Sequence, residues 1–390
     1  MTKAVHKRLG DLLNLKRGYD LPESQRRPGP YPVISSAGIT GYHDEYMVEG
    51  QGVVTGRYGT LGEMYYVDGK YWPHNTALYV TTFKGNDPKY IYYLLTCLGR
   101  IRTSDKSAVP GVNRNELHEM EIPAISDTKQ QKKVAAILAA LDAKIDCNNR
   151  INAELEAMAK TLYDYWFVQF DFPDANGKPY KSSGGKMVYN ATLKREIPAG
   201  WKNSTIGETF RSHLGGTPSR DIDEYWSPGE VNWLSSGENP STFVVAPDEK
   251  ISTLGLQNSP AKLLPRGTVI LSIVRHLRVS ILGIEAATNQ SVVGIVETAK
   301  LKHCFIYPYL VREIPRLMAL RTGAQQPHIN KGVLDESPLL IPADGPLNTY
   351  TSTAEPLFLQ IQKNLQQNVE LAQLRDWLLP LLMNGQVTVA

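Results

Sequence analysis

The sequence predicts an α+β fold with an internal pseudo-two-fold repeat: two strand-rich domains, separated by two long helices that form an antiparallel coiled coil. Three observations predict this fold. Short motifs recur in the same order roughly 200 residues apart, each copy is rich in β-branched and aromatic runs broken by Gly, Pro, Asn and Asp, and each copy is followed by a long heptad pattern. At 390 residues, the chain is long enough for two or three domains with cores of their own.

The repeat is carried by five pairs of short motifs. Their offset grows along the chain, which is typical of a duplicated domain that has gained loop insertions. The pairs are residues 33–36 (VISS) with 233–236 (WLSS), 9–11 (LGD) with 206–208 (IGE), 52–54 (GVV) with 267–270 (GTVI), 110–113 (PGVN) with 327–330 (PHIN), and 121–123 (EIP) with 340–342 (LIP).

These patterns divide the chain into five segments. Strand-rich domains are predicted over residues 1–126 and 201–346, long helices over 127–171 and 353–385, and an extended linker over 172–200, where Gly, Pro, Ser and Lys accumulate. In the first domain, Asp68-Gly69 predicts the two-residue type I′ turn of a β-hairpin.

The long helices are predicted from apolar residues that step by four and three positions. Asn148 of the first helix falls opposite Asn368 of the second in the repeat alignment. Ile137, Ile151, Met158 and Tyr165 are expected to widen the apolar stripe, and Pro380 to kink or fray a second helix shorter than the first. Packing of the helices on each other is favoured; the alternative is that each lies across its own domain. The predicted seam is Leu138, Leu141, Ile145, Asn148, Leu155, Leu162, Ile361, Leu365, Asn368 and Leu379.

Sequence motifs for catalysis are not found. The chain has no P-loop, no His-Glu-x-x-His, no Gly-x-Ser-x-Gly and no clustered metal ligands, which favours a binding protein over an enzyme. The net charge of +3 is small, so DNA binding would require basic groups gathered on one face. Three widely spaced cysteines and the lack of a signal sequence or an uninterrupted apolar span predict a cytoplasmic protein.

Candidate DNA-contacting residues are Arg, Asn, His, Lys, Ser and Tyr side chains on equivalent loops of the two copies, where they could reach base edges and phosphates. In this alignment, His74-Asn75 matches Thr288-Asn289. The alternative is that each is an ordinary surface residue. The candidates are Ser35, Ser36, Arg57, Tyr58, His74, Asn75, Asn113 and Arg114 in the first copy, and Ser235, Ser236, Arg275, His276, Arg278, Asn289, His328, Asn330 and Lys331 in the second.

The whole chain resembles the specificity subunit of type I restriction-modification systems. The resemblance is carried by KRGYDLP, WFVQFDFP, KPYKSSGGKMV, IPAGW, GGTPSRDIDEYW, VNWLSSGEN and LRDWLLPLLMNGQV, in this order. It implies a non-catalytic subunit with two target recognition domains, each reading one half of a bipartite, asymmetric sequence in double-stranded DNA. It also implies that two conserved helices fix the spacer and bind two methyltransferase subunits, which motor-nuclease subunits join. S-adenosylmethionine, ATP and Mg²⁺ would then belong to the partners, with no cofactor or metal in this chain.

Two other functions stay open at this point. A single-chain enzyme with fused recognition would need an Asn/Asp-Pro-Pro-Tyr/Phe motif or a split Pro-Asp…Asp/Glu-x-Lys, and the sequence contains neither. A coiled-coil scaffold that binds proteins and no DNA would need nothing beyond the helices.

Overall fold

A computed structural model describes residues 4–56, 63–104, 114–237, 241–274, 276–323 and 327–389. The chain divides into two compact units. The first, the N-terminal unit, consists of Met1–Ile145 and Glu370–Ala390, and the second, the central unit, of Asp146–Val369. Each long helix therefore begins in one unit and ends in the other.

The N-terminal unit is built on a mixed sheet with the strand order β2-β7-β5-β6-β3-β4, together with the antiparallel pair of β1 and β8. Helix α2 packs on the sheet, and its buried side chains share one core with apolar side chains of the long helices. The elements are β1 (Val5–Arg8), α1 (Leu9–Leu12), β2 (Asn14–Arg17), β3 (Tyr31–Ser35), β4 (Gly38–His43), β5 (Val48–Gly56), β6 (Met64–Pro73), β7 (Ala77–Thr82), α2 (Pro88–Ser104), α3 (Arg114–Glu119), β8 (Glu121–Ala124) and the start of α4 (Thr128–Tyr163).

The central unit contains a sheet with the order β12-β19-β16-β17-β14 and a smaller sheet with the order β15-β13-β18. Hairpin β9-β10 and the antiparallel pair β11-β20 complete its strands. The elements are β9 (Met187–Asn190), β10 (Arg195–Pro198), β11 (Lys202–Thr205), α5 (Ile206–Thr209), β12 (Arg211–Leu214), β13 (Val231–Leu234), β14 (Phe243–Val244), β15 (Glu249–Ile251), α6 (Thr253–Gln257), β16 (Val269–Ser272), β17 (Arg278–Leu282), β18 (Ala287–Thr288), β19 (Val292–Val296), α7 (His303–Ala319), α8 (Lys331–Asp335), β20 (Pro338–Ile341) and the start of α9 (Asp344–Met383).

Strand pairing confirms the internal repeat and corrects one of the five motif matches. β1 pairs with β8 as Arg8 opposite Glu121, and β11 pairs with β20 as Thr205 opposite Pro338. Residues 121–123 are therefore equivalent to residues 338–340, two positions earlier than the motif match at 340–342. The match was wrong because the same Ile-Pro dipeptide occurs at a shifted position of the second copy.

The two long helices pack against each other in antiparallel fashion, which excludes the alternative that each lies only across its own domain. In the central unit, Asn148 contacts Asn368 and Asn152 contacts Asn364, so the residue numbers rise on one helix as they fall on the other. Leu138 and Leu379 are buried in the core of the N-terminal unit. Of the other seam residues, Ile361 is buried, and Leu141, Ile145, Leu155, Leu162 and Leu365 are half-buried.

The second helix is longer than expected. α9 begins at Asp344, nine residues before the predicted start at 353, and spans 40 residues against 36 for α4. Pro380 does not end it, because the helix continues to Met383. The stripe is narrower than expected, since Ile137, Ile151 and Met158 are exposed. A seam needs only the positions that face the partner helix, so apolar residues beside it can stay exposed. Tyr165, the fourth residue expected to widen the stripe, is half-buried and packs against the core of the central unit.

Two other local predictions were wrong. Asp68-Gly69 lies in the middle of β6, where Gly69 faces Gly50 of β5. Both glycines have positive φ, +121° and +107°, a conformation that favours glycine, and the pairing of β5 with β6 continues through them without a turn. Residues 172–200 are folded and not extended: they form the β9-β10 hairpin, and Phe172 stacks on Tyr180 with ring centroids 4.7 Å apart.

Candidate nucleic-acid interface

In the N-terminal unit, β3 ends at Ser35 in a two-residue turn that leads to β4. Ser35 is buried, and its Oγ accepts a hydrogen bond from the backbone N–H of Ala37 (3.1 Å) and donates one to the carbonyl oxygen of Gly38 (3.4 Å). Gly38 has φ of +88°, a conformation that glycine adopts without strain. The Ser35 hydroxyl therefore belongs to the turn itself.

The turn between β6 and β7, residues 74–76, lies beside the end of β3. The backbone N–H of His74 donates to the carbonyl oxygen of Ile34 (2.8 Å), and that of Ser36 donates to Thr76 Oγ1 (3.4 Å). Burial, reinforced by nearby Arg26, lowers the pKa of His74, so its ring stays neutral at neutral pH. The structure thus brings together four candidate residues, Ser35, Ser36, His74 and Asn75.

A third segment, residues 18–20 after β2, packs against the turn at residues 74–76. A Cβ atom on Gly18 would lie 2.2 Å from the carbonyl oxygen of His74, so only glycine permits the approach. Beside it, the backbone N–H of Tyr19 donates to the carbonyl oxygen of Pro73 (2.8 Å). Because of this close contact, two charged residues lie beside the turn. They are Arg17 and Asp20, which were not among the candidates. The offset of 197 between residues 9–11 and 206–208 also aligns Gly18 with Gly215, and this alignment is the sequence signal that could have located the contact.

The central unit repeats this backbone arrangement. The backbone N–H of Asn289 donates to the carbonyl oxygen of Leu234 (2.9 Å), and that of Gly216 donates to the carbonyl oxygen of Thr288 (2.8 Å). A Cβ atom on Gly215 would lie 2.3 Å from the carbonyl oxygen of Asn289. We call this set of backbone contacts the loop frame. In the N-terminal unit it joins the segment at Gly18 to the turn at His74, and in the central unit it joins the segment at Gly215 to the turn at Asn289.

Strand register fixes which residues of the two loop frames are equivalent. β3 pairs with β6 as Ile34 opposite Pro73, and β13 pairs with β18 as Leu234 opposite Thr288. His74 is therefore equivalent to Asn289, and the next residue, Asn75, to Gln290. The expected match of His74-Asn75 with Thr288-Asn289 was wrong by one residue. Short polar loops carry no periodic pattern that would fix their alignment.

Three other candidates of the central unit, His276, Arg278 and His328, lie at the end of its larger sheet where β16 ends and β17 begins. The backbone N–H of Ile273 donates to the carbonyl oxygen of Ser291 (2.9 Å), and Val274 pairs with His328. His276 and Arg278 follow in the loop and at the start of β17, where both are exposed. Ser235 and Ser236 follow β13 directly. Arg57, Tyr58, Asn113 and Arg275 lie outside the described residues.

Three further candidates lie on the short helices α3 and α8. Asn330 caps α8, where its side-chain oxygen accepts from the backbone N–H of Val333 (2.9 Å), and Lys331 forms an ion pair with Asp335. Arg114 is exposed at the start of α3. The Asn330 and Lys331 side chains thus have structural contacts within the unit.

Despite the small net charge, basic groups gather near the loop frame of the central unit, and in the N-terminal unit near the end of β2 that is away from Gly18. In the central unit, burial and then Lys262, Lys331 and Arg211 lower the pKa of His213, two residues before Gly215. In the N-terminal unit, burial and then Arg114 and Lys84 lower the pKa of His118. Lysine and arginine groups that gather at one place attract phosphates.

Among the described residues, no three His, Cys, Asp or Glu side chains are close enough together to hold a metal ion. No helix in the described ranges combines the length and the apolar character needed to cross a membrane.

Comparison with known proteins identifies the family. Residues 1–157 and 198–349 match the model of the type I restriction modification DNA specificity domain, so the domain occurs twice. The chain is 27% identical over 313 residues to the MjaIX specificity subunit of Methanocaldococcus jannaschii, covering 77% of this chain and 69% of that protein. It is 21% identical over 318 residues to the HindI specificity subunit of Haemophilus influenzae, covering 67% and 68%.

The fold is also similar to that of a solved protein. The crystal structure of a type I restriction-modification S subunit from M. genitalium aligns over 97% of this chain and 96% of its own length, with a TM-score of 0.61 at 14% identity. The two matches to the family model together cover more than half of the residues. The chain therefore belongs to the family of type I restriction-modification DNA specificity subunits.

Proposed function

We propose that this chain is the DNA sequence-recognition subunit of a type I restriction-modification complex, in which each strand-rich domain reads one half of a bipartite, asymmetric target. The observation that carries the proposal is the loop frame. Both units build it with the same backbone contacts, yet its exposed side chains differ between them. A shared frame with different side chains suits two domains that approach DNA alike and read different bases.

The long helices would set the distance between the two half-sites. Two half-sites on one face of B-DNA lie about one helical turn, ~34 Å, apart. The support is the hydrogen bonding of Asn148 with the half-buried Asn368 and of Asn152 with the buried Asn364, which favours one register of the helices.

The helices would also bind two methyltransferase subunits, which motor-nuclease subunits join. The support is the exposed apolar side chains on their outer surfaces: Ile137, Leu374 and Trp377 in the N-terminal unit, and Ile151, Met158 and Leu359 in the central unit. Exposed apolar residues grouped on a surface mark protein-binding sites.

Catalysis would reside in these partners. S-adenosylmethionine would be bound by the methyltransferase subunits, and ATP and Mg²⁺ by the motor-nuclease subunits. This chain would act in the cytoplasm, where the DNA lies. The lack of nucleotide-binding and metal-binding motifs in the sequence supports the assignment of these cofactors to the partners.

Methylome sequencing of a methylation-free host tests the proposal. Co-expression of this chain with its methyltransferase should produce one asymmetric motif with two specific parts and a fixed non-specific spacer, and the methyltransferase alone should produce none. Methyl transfer by the purified chain without its partner would establish the single-chain enzyme instead. A reconstituted complex that ignores DNA sequence would favour the protein scaffold.

A further inference from the structure

Each loop frame holds one pair of hydrogen-bonded side chains at equivalent positions. Gly18 and Gly215 occupy the same place, so Asp20 is equivalent to Thr217, two residues later in each segment. On the facing turn, Asn75 is equivalent to Gln290, because each follows the residue whose backbone N–H bonds to Ile34 or Leu234. The two pairs arise from the same backbone geometry.

In the N-terminal unit, the pair is Asp20 and Asn75. The Asn75 side-chain amide donates a hydrogen bond to Asp20 Oδ1. Arg17 is bound to both residues: its Nη2 donates to Asp20 Oδ1 (3.4 Å), and its Nε donates to the carbonyl oxygen of Asn75 (3.3 Å). The Arg17 guanidinium offsets the Asp20 charge, so the carboxylate can lie near DNA. The amide oxygen of Asn75 and its second N–H have no hydrogen-bond partner among the residues that the structure describes.

In the central unit, the pair is Thr217 and Gln290. The Thr217 hydroxyl donates to Gln290 Oε1, and the Gln290 side chain is exposed. Here the partner is a neutral hydroxyl and the amide side chain is one methylene longer. Position 214, equivalent to Arg17, is occupied by Leu214. Both units thus have a side-chain amide at this turn, and they differ in the residue that is hydrogen-bonded to it, Asp20 in one and Thr217 in the other.

We propose that Asn75 and Gln290 each read one base of their half-site, and that Asp20 and Thr217 are positioning residues that orient the amides. This inference rests on the proposed function. A side-chain amide forms two hydrogen bonds with the major-groove edge of adenine, one through an N–H and one through its oxygen. Gln290 Oε1 accepts from Thr217 with one lone pair and keeps the second for this contact. Adenine is therefore the base expected at both positions. An amide already held in place loses less conformational freedom on binding than a free one.

The pairs contribute little to holding the turns. Backbone hydrogen bonds already fix each turn, from His74 to Ile34 and from Asn289 to Leu234. Side-chain bonds at exposed positions add little stability because water competes for both partners. The two loop frames therefore carry different pairs, Asp20 with Asn75 and Thr217 with Gln290, for a reason other than stability. A difference in the DNA bases that the two frames contact explains it better.

The test is methylome sequencing with the complete complex carrying Asn75→Ala or Gln290→Ala. Each variant should relax the preference at a single base pair, in one half-site only, by about 5- to 150-fold. A second pair of variants exchanges the chemistry and keeps a bonded pair on the turn: Asp20→Thr with Asn75→Gln, and Thr217→Asp with Gln290→Asn. These should change the preference at the same base pair. Gln51→Ala and Asn176→Ala, at exposed amides elsewhere in the two units, should leave the motif unchanged.

The outcomes separate the inference from the proposed function. If the unsubstituted chain yields no bipartite motif, the proposed function fails and the inference with it. If it yields one and the alanine and exchange variants yield the same motif, the inference fails alone. A uniform loss of methylation at every position, with an unchanged unfolding midpoint, would also overturn it, because that result marks a phosphate contact.

Discussion

The side-chain amide of Asn148 donates a hydrogen bond to Asn368 Oδ1 (2.9 Å), and these two asparagines occupy the same position in the two copies of the repeat. A second bond joins Asn364 to Asn152 (2.8 Å) one turn along. If one helix slid along the other by one heptad, the Asn148 amide would lie opposite Ile361, which is apolar and buried. Because an unpaired buried amide is costly, the asparagine pairs select one register.

Leucine at both positions, Asn148→Leu with Asn368→Leu, should raise the free energy of unfolding by about 1 kcal/mol and relax the spacer of the DNA target. Asn148→Leu alone should lower the free energy of unfolding by about 1 kcal/mol, since Asn368 Oδ1 loses its donor while the Asn368 amide keeps only its bond to Asn149. Urea unfolding and methylome sequencing measure the two effects. Glu154→Ala, exposed on the same helix, should change neither. A double variant that keeps a single spacer would show that the register is fixed elsewhere.

Asp142→Asn should lower the free energy of unfolding by about 1–2 kcal/mol. The carboxylate accepts from Arg375 Nη1 (2.7 Å) and from the Tyr93 hydroxyl (2.6 Å), and the Asp142 and Arg375 side chains are only about a quarter exposed. Thermal unfolding measures this loss. In the same experiment, Lys160→Gln, which breaks the exposed Lys160–Asp164 pair, should lower the free energy of unfolding by less than about 0.5 kcal/mol. Equal losses would mean that the Asp142 contacts contribute no more than a surface pair.

Gly18→Ala should destabilise the N-terminal unit by about 1–3 kcal/mol and impair methylation. Its new Cβ would meet backbone atoms of the 73–74 turn, which cannot move without breaking the loop frame. Gly345→Ala, at a helical position where a Cβ meets nothing within 4 Å, should be neutral or stabilise by up to about 1 kcal/mol. Thermal unfolding and methylation of a target plasmid measure both. A Gly18→Ala variant with full stability and activity would contradict the close approach.

Acidification should destabilise the N-terminal unit through His118. Burial, then Arg114 and Lys84, lowers its pKa below the ordinary 6.5, and Nε2 accepts from the backbone N–H of Leu15 (3.0 Å). The folded state therefore binds a proton less readily than the unfolded state. Stability is full above about pH 6.5 and falls as the pH drops from there through the folded-state pKa.

His118→Gln keeps a hydrogen-bond acceptor and removes this titration. The difference in melting temperature between about pH 7.5 and about pH 5.5 should be smaller for His118→Gln than for the unsubstituted chain. Because His74 and His213 have pKa shifts of the same sign, a part of the acid sensitivity should persist in the variant. An identical pH dependence in both proteins would exclude His118 as a contributor.

Trp377→Ala should weaken binding of the methyltransferase subunit by about 30-fold or more, the effect of removing a central aromatic residue from an interface. Its side chain is 63% exposed on α9, beside Leu374. Isothermal titration with the purified methyltransferase measures the affinity, and Gln373→Ala on the same helix is the control. The unfolding midpoint should stay unchanged, since Trp377 has little burial to lose. Unchanged affinity would place the docking surface elsewhere.

The long-range organisation could be predicted from the sequence because it is periodic. Heptad spacing identified both helices, the repeat alignment placed Asn148 and Asn368 at equivalent positions, and the repeated motifs identified the duplication. Local geometry was harder to predict. Asp68-Gly69 has the composition of a turn, yet it lies within β6, where Gly69 faces Gly50 and both glycines have positive φ.

The candidate interface was predictable by region and not by residue. The end of β3 and the turn after β6 were identified together with their counterparts in the second copy. Asp20, Thr217 and Gln290 were missed because their significance comes from a backbone approach at Gly18 and Gly215. That approach joins segments more than fifty residues apart in sequence.

Each strand-rich domain begins and ends on the same pair of antiparallel strands. Val5 faces Ala124 in the first domain, and Lys202 faces Ile341 in the second. A segment whose two ends lie side by side can be excised and replaced by a homologous segment without moving the helices that follow it. Recombination at these two points would exchange one half of the DNA target as a cassette, and a small number of domains could then generate many combined specificities.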